Sequence, residues 1–233
     1  MGPDANAPVA VLAALKQEAV ALTRLLSADG ELWRGELEDV PVAVALTGVG
    51  KVAAAMTAQR LCDLIHPRCF VSIGLAGGIG RDDERGRVVV ASAAVQHDFD
   101  ARPLTREPGV VPGIDSTELA ADRRLTELLH ESALETLGGR QVAGGVVLTG
   151  DQIITSSNAR DRVLTQFPRG ACFDMETAAI AQVARRNEVP WCGLRIVSDA
   201  ADESFELNDV LEFGTTTAAG DFEKVIRALL KKL

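Results

Sequence analysis

Cys69-Phe-Val-Ser-Ile-Gly74-Leu-Ala-Gly-Gly-Ile-Gly80 runs from an apolar, β-branched segment straight into a glycine-rich loop. Residues 69–74 lack the alternation of a half-exposed strand, so they read as a strand buried on both faces. Residues 75–80 then read as the loop at its carboxyl end, where glycines let the backbone pass close to a neighbour. A doubly buried strand needs cover above and below, and Ala/Leu-rich stretches on either side in sequence supply it. The expected fold class is α/β.

Working outward, residues 9–14 (Val-Ala-Val-Leu-Ala-Ala) form another such strand. A helix over 16–26 follows, with Ala19, Leu22, Leu25 and Leu26 on one stripe. Residues 31–37 and 40–46 are expected to pair as a hairpin around Glu38-Asp39. Thr47-Gly-Val-Gly-Lys51 is a second glycine loop and opens a helix to about Ile65. Beyond Gly80, strands are expected over 87–95, 141–148, 171–174 and 191–197. Helices are expected over 118–137, in a short stretch ending at Phe167, over 175–187, and over most of 207–233. Residues 96–117, with Pro103, Pro108 and Pro112, read as a long irregular loop, and such loops are usually functional. No repeat, linker or low-complexity tract divides the chain. Residues 1–233 are therefore expected to form one domain, with 1–8 flexible.

The 233 residues are 47% hydrophobic and 24% charged, which excludes disordered and fibrous classes. Lys and Arg number 24 against 33 Asp and Glu, a net charge of −9. Polyphosphates and anionic lipids need a basic face, so neither nucleic acid nor membrane is an expected partner. The opening MGPDANAPVAVLAAL has no basic stretch, and its apolar run is interrupted by Pro8 and stops at Lys16. No uninterrupted apolar run approaches a membrane span, and a soluble, cytoplasmic protein is expected. Cys62, Cys69, Cys172 and Cys192 contain no Cys-x-x-Cys pair, and no His stands at metal-ligand spacing. They read as buried reduced thiols, with no metal and no cofactor expected.

The two glycine loops match neither the dinucleotide fingerprint nor the phosphate-binding loop, since Gly48-Val-Gly50-Lys51 is too short and lacks the Ser or Thr that holds a metal. They read either as tight turns between close-packed elements or as backbone facing a ligand at the carboxyl edge of the sheet.

Three carboxylates stand at that same edge. Glu18 follows the first strand, Glu176 lies at the strand-to-helix change in Phe173-Asp-Met-Glu176-Thr-Ala-Ala, and Asp199 ends the apolar run 191–198. Each has a plain structural reading as a cap or first-turn acid. Converging, they suit cleavage of a bond at a sugar anomeric carbon, whose transition state carries positive charge. One acid, kept neutral by burial, would protonate the leaving group, and a base would orient water. Asp199 best fits the acid. Arg195 shares its strand parity and reads either as part of the site or as half of a buried ion pair. His97-Asp98 reads as a structural or subunit-contact pair.

These residues carry a resemblance. Leu12-Ala-Ala-Leu-Lys-Gln-Glu18, Thr47-Gly-Val-Gly-Lys-Val-Ala-Ala-Ala55, Gly74-Leu-Ala-Gly-Gly78, His97-Asp, Thr149-Gly-Asp151, Asp174-Met-Glu176 and Ser198-Asp199 are similar to the motifs of the nucleoside phosphorylase/nucleosidase superfamily. Within it, the chain resembles the 5′-methylthioadenosine/S-adenosylhomocysteine nucleosidases, from Val9 to about Leu230. The resemblance implies a three-layer αβα sandwich around a mixed, partly closed β-sheet, and a homodimer hydrolysing a nucleoside with water. It implies that Glu18 activates the water, Asp199 protonates N7 of the leaving adenine, and Arg195 stands near the nucleophile. Glu176 would grip the ribose hydroxyls with Met175 under the sugar, and Ser198 would position Asp199. Ile153 and Ile154 would line the adenine pocket, with Leu15, Val49, Gly77 and Phe173 on further lining positions. The loop after His97 would reach toward the partner's 5′-substituent pocket.

The chain also departs from that pattern. Ile153 replaces a stacking aromatic ring with aliphatic contact. Leu75 stands where Ser or Thr is common, an apolar choice that favours hydrolysis over phosphorolysis. Leu104 falls where a bulkier aromatic lines the 5′ pocket. The alternatives are a nucleosidase for another 5′-modified purine nucleoside, of futalosine or adenosyl-hopanoid type, a purine nucleoside phosphorylase, or a non-catalytic nucleoside-binding protein. The presence of all three carboxylates argues against the last.

Overall fold

A computed structural model describes residues 6–80 and 85–233; of the stretch expected to be flexible, residues 1–5 lie outside the described residues. The strands are β1 (Val9–Ala13), β2 (Ser27–Asp29), β3 (Leu32–Leu37), β4 (Val40–Leu46), β5 (Cys69–Gly77), β6 (Val88–Gln96), β7 (Leu119–Ala120), β8 (Val142–Thr149), β9 (Gly170–Asp174) and β10 (Trp191–Asp199). The helices are α1 (Lys16–Thr23), α2 (Lys51–Ile65), α3 (Arg123–Thr136), α4 (Ser157–Gln166), α5 (Thr177–Arg186), α6 (Leu207–Phe213) and α7 (Ala219–Leu230), the last two joined by a π-turn over Gly214–Ala218.

All ten strands share one sheet. β5 pairs in parallel with β1 and with β10, and antiparallel with β9. Because β10 also pairs with β6, and β6, β8 and β9 run side by side, the strands β5-β10-β6-β8-β9 close on themselves. β1, β4, β3 and β2 extend the open side. The result is a mixed, partly closed sheet.

Alternation along β1 divides its two faces. Val9, Val11 and Ala13 join one core with Leu22 of α1, Leu129 of α3 and Phe222 of α7. Ala10 and Leu12 join the other with Ala54, Ala58 and Leu61 of α2 and Ile180 of α5. Small side chains on α2 and α5 let those helices approach the sheet and each other. This is the three-layer arrangement that doubly buried strands require.

Several boundaries differ from the sequence expectation. α1 stops at Thr23, and residues 27–29 turn back as β2 against β3. The helix expected over 118–137 starts only at Arg123, where Asp122 accepts the Leu125 N–H at 2.9 Å as a side-chain cap. Leu119 and Ala120 pair with β6 instead. β5 runs on to Gly77, so half of the second glycine loop is strand, and α5 begins after Glu176 rather than before it. The hairpin turn holds Glu38 and Asp39 at φ 53° and 61°, the paired left-handed geometry of a tight two-residue connection. Among the described residues no helix is long and apolar enough to cross a membrane.

Candidate active site

The carboxyl ends of β1, β5, β9 and β10 open into a cavity of about 380 Å³. Glu18, Glu176 and Asp199 line it together, although 158 and 23 positions separate them along the chain (176 − 18 and 199 − 176).

Glu18 sits on the first turn of α1 and is buried. Its Oε2 accepts the Leu15 N–H at 2.8 Å and its Oε1 the Leu75 N–H at 2.9 Å. Burial pushes its pKa up, against those bonds and the charge of Arg195. A side chain at Gly74 would place its Cβ 3.1 Å from Glu18 Oε1 and 3.4 Å from the Arg195 guanidinium carbon. Glycine there keeps the space between carboxylate and cation clear.

Glu176 is the capping residue before α5 and is buried. Its Oε1 accepts the Gly50 N–H at 2.8 Å, at the start of α2. Burial first, and Asp174 second, push its pKa to about 8. Gly50 takes φ 96°, and a Cβ there would stand 3.1 Å from Asp151 Oδ1. The first glycine loop thus delivers a backbone donor to the Glu176 carboxyl.

Asp199 ends β10. Ser198 Oγ donates to its Oδ2 at 2.7 Å and the Ala201 N–H to its Oδ1 at 2.9 Å. Burial raises its pKa in spite of both bonds. A register shift between Val197 and Asp199 breaks the alternation of the strand, so parity with Arg195 does not carry through to Asp199.

Arg195 lies behind the cavity and does not line it. Its Nε and Nη2 donate to Asp174 Oδ2 at 3.0 and 2.9 Å, and Nη2 also reaches Ser72 Oγ at 2.8 Å and Thr177 Oγ1 at 2.6 Å. Burial works against its charge, but Asp174, Glu176 and Glu18 outweigh that and hold it protonated. Asp174 in turn accepts from Thr149 Oγ1 at 2.5 Å and from the Thr177 N–H at 2.9 Å. This network of Asp174, Thr149, Thr177 and Ser72 escaped the sequence reading. Thr149 and Asp174 stand in motifs visible in the sequence, but nothing there joins them to Thr177 and Ser72.

The remaining walls are apolar. Ile153, Ile154, Val49, Phe173 and Met175 all line the cavity. Leu15, Leu75 and Gly77 complete the sequence-derived residues at the cavity. Phe205, Leu207, Val210 and Leu211, from α6 and the segment before it, form a wall that sequence did not single out. Leu104 is not at this cavity. It is 87% exposed, in a turn closed by its N–H on the Ala101 carbonyl at 2.8 Å.

His97 and Asp98 support the wall from behind. The His97 ring meets Phe173 edge-on, 6.0 Å between centroids, and a Cβ at Gly150 would stand 2.3 Å from His97 Nε2. Asp98 Oδ1 accepts from Lys51 Nζ at 2.5 Å and its Oδ2 from the Asp151 N–H at 2.8 Å.

Such a site offers three carboxyl groups, each with raised proton affinity, in a largely apolar cleft. It can stabilise a cationic sugar, give a proton and take one.

The family model described as "Phosphorylase superfamily" matches residues 7–231. The 5′-methylthioadenosine/S-adenosylhomocysteine nucleosidase of Oceanobacillus iheyensis is 33% identical over 224 residues, covering 95% of each chain. The nucleosidase of the same name from Neisseria meningitidis, solved with methylthio-immucillin-A, is 30% identical with a TM-score of 0.88, covering 97% of this chain and 99% of that one. The Colwellia psychrerythraea nucleosidase, solved with adenine, is 26% identical with a TM-score of 0.88, covering 100% of this chain and 98% of that one.

Proposed function

The chain belongs to the 5′-methylthioadenosine/S-adenosylhomocysteine nucleosidase family of the phosphorylase superfamily, and from that premise we propose that it hydrolyses the N-glycosidic bond of 5′-methylthioadenosine, S-adenosylhomocysteine or both. The observation that carries this reading is the meeting of Glu18, Glu176 and Asp199 in one apolar-walled cavity.

Adenine lies between Ile153, Ile154, Val49 and Phe173, and the ribose lies over Met175. Glu176 accepts hydrogen bonds from the ribose 2′- and 3′-hydroxyls, with Gly50 holding its other oxygen. As the C1′–N9 bond breaks, Asp199 gives its proton to N7, and the base departs neutral. The water oxygen bonds to C1′ and its proton passes to Glu18. Ser198 positions Asp199, and Arg195 keeps positive charge behind Glu18 without touching substrate. The positive charge on the sugar is met by carboxylate rather than by solvent. No cofactor enters the balance.

A second copy of the chain is the proposed partner. Val52 and Met56, one turn apart on α2, are 72% and 69% exposed, and Leu104 projects from the long loop. Large apolar side chains held together in water mark a contact surface. In a homodimer, Leu104 of the loop would reach the 5′ end of the neighbouring cavity. The cytoplasm is the proposed location, consistent with four cysteines that are all buried.

Product analysis tests the reading. Methylthioadenosine, adenosylhomocysteine, inosine and futalosine are each incubated with the protein, with and without phosphate. Free adenine and the 5-thio-substituted ribose, released equally without phosphate, are the expected result. Turnover only with phosphate would make the protein a phosphorylase, and preference for futalosine would move the substrate to the sister class.

A further inference from the structure

Beside Glu18 the cavity wall carries an apolar side chain. Leu75 lines the cavity, and its own N–H holds Glu18 Oε1 at 2.9 Å, so its side chain stands beside the place where the nucleophile must wait. That side chain is half-buried and packs on the core shared with Phe213 and Phe222. Its seat is the π-turn: a Cβ at Gly214 would stand 3.1 Å from Leu75 Cδ1 and 3.6 Å from Gln17 Cβ. Glycine at the first residue of that turn is what leaves room for a branched side chain between α1 and the start of α7.

Charge acts in the same direction. Every charged side chain among the described lining residues is acidic: Glu18, Asp174, Glu176 and Asp199. Arg195, whose charge acts on Glu18 and Glu176, donates to Asp174, Ser72, Thr177 and the Leu194 carbonyl. An anion entering beside Glu18 would meet like charge and an isobutyl group.

We propose that Leu75, seated against Gly214, is a specificity-determining residue for the nucleophile, admitting one small neutral hydroxylic molecule and excluding anions and larger alcohols. This rests on the hydrolytic reading and deepens it. When methanol takes the place of water, its oxygen bonds to C1′ as the C1′–N9 bond breaks, its proton passes to Glu18, and the product is the methyl glycoside.

Turnover of methylthioadenosine in water–methanol and water–ethanol mixtures gives the ratio of alkyl glycoside to free methylthioribose. That ratio is independent of how much variant is folded. Leu75→Ala should raise the ethyl-glycoside ratio roughly tenfold, the scale on which a pocket senses one or two carbons. Leu75→Val, the milder change, should raise it by less. An unchanged ratio in both variants overturns the proposal, as does formation of a sugar 1-phosphate by the unaltered protein in phosphate buffer. Absence of adenine release from the unaltered protein would instead sink the hydrolytic reading on which the proposal stands.

Discussion

The backbone N–H of Leu75, on β5, donates to Oε1 of Glu18 on the first turn of α1 at 2.9 Å. With the Leu15 N–H on Oε2, both carboxyl oxygens are held by backbone donors. The orientation of the proposed base is therefore built into the backbone, which is the preorganisation that makes a proton acceptor effective.

Glu18→Gln should abolish hydrolysis while leaving nucleoside binding within a few-fold of the unaltered protein. Glutamine keeps the volume and one acceptor but cannot take a proton from water. Calorimetric titration with methylthioadenosine, alongside adenine release, separates the two effects. Loss of binding equal to the loss of turnover would reassign Glu18 to substrate contact.

Asp199→Asn should keep the fold and lower kcat by at least ~10²-fold, the usual scale for general acid catalysis. Asparagine can still accept the Ala201 N–H, which donates to Asp199 Oδ1 at 2.9 Å, so the end of β10 has no reason to move. Near-normal turnover of a substrate with an ordinary adenine leaving group would remove Asp199 as the acid.

The pH profile follows from two raised carboxyl groups acting in opposite forms. Glu18 must be ionised to accept a proton, so activity falls on the acid side as pH drops through its folded pKa, which burial places above 4.5. Asp199 must be protonated, so activity falls on the alkaline side as pH rises through its folded pKa, which burial places above 3.8. A bell in kcat/KM is expected. Asp199→Asn should lose the alkaline limb and retain the acid one, and an alkaline limb of unchanged position in that variant would contradict the assignment.

What could be read from sequence divides along the range of the contacts involved. β1, β5 and β10 announce themselves because a doubly buried strand is apolar at every position, and an acid at its end stands out. The hairpin at Glu38-Asp39 is equally local. β7 is invisible because two residues, Leu119 and Ala120, have no pattern of their own and become strand only by pairing with Ala93 and Ala94. The Arg195–Asp174 pair, 21 positions apart, depends on β10 lying beside β5 and on β9 crossing the end of β5. The wall from Phe205 to Leu211 was equally hidden, since an apolar helix face does not say which side of a sheet it will cover. The π-turn that seats Leu75 leaves no sign in sequence beyond Gly214 itself.

Glu176→Gln tests the energetic cost of the ribose grip. The carboxyl of Glu176 has a folded pKa of about 8 against an ordinary 4.5, with burial the first cause. Between those values the folded chain holds a proton that the unfolded chain releases. Stability from this group is therefore complete below about pH 4.5 and is lost as pH rises through about 8. Glutamine retains an acceptor for the Gly50 N–H and never ionises, so it removes that slope. The Tm of Glu176→Gln relative to the unaltered protein should be close to unchanged at pH 5 and higher by several degrees at pH 8.5, given about 2–4 °C per kcal/mol for a chain of this size. Turnover should meanwhile fall, because with the glutamine oxygen on Gly50 the atom facing the ribose hydroxyls is an amide nitrogen, which donates instead of accepting. Melting curves of the ligand-free proteins at both pH values decide it: a difference that does not grow with pH would mean Glu176 is already ionised in the folded state, and the site would then owe nothing of its proton balance to this residue.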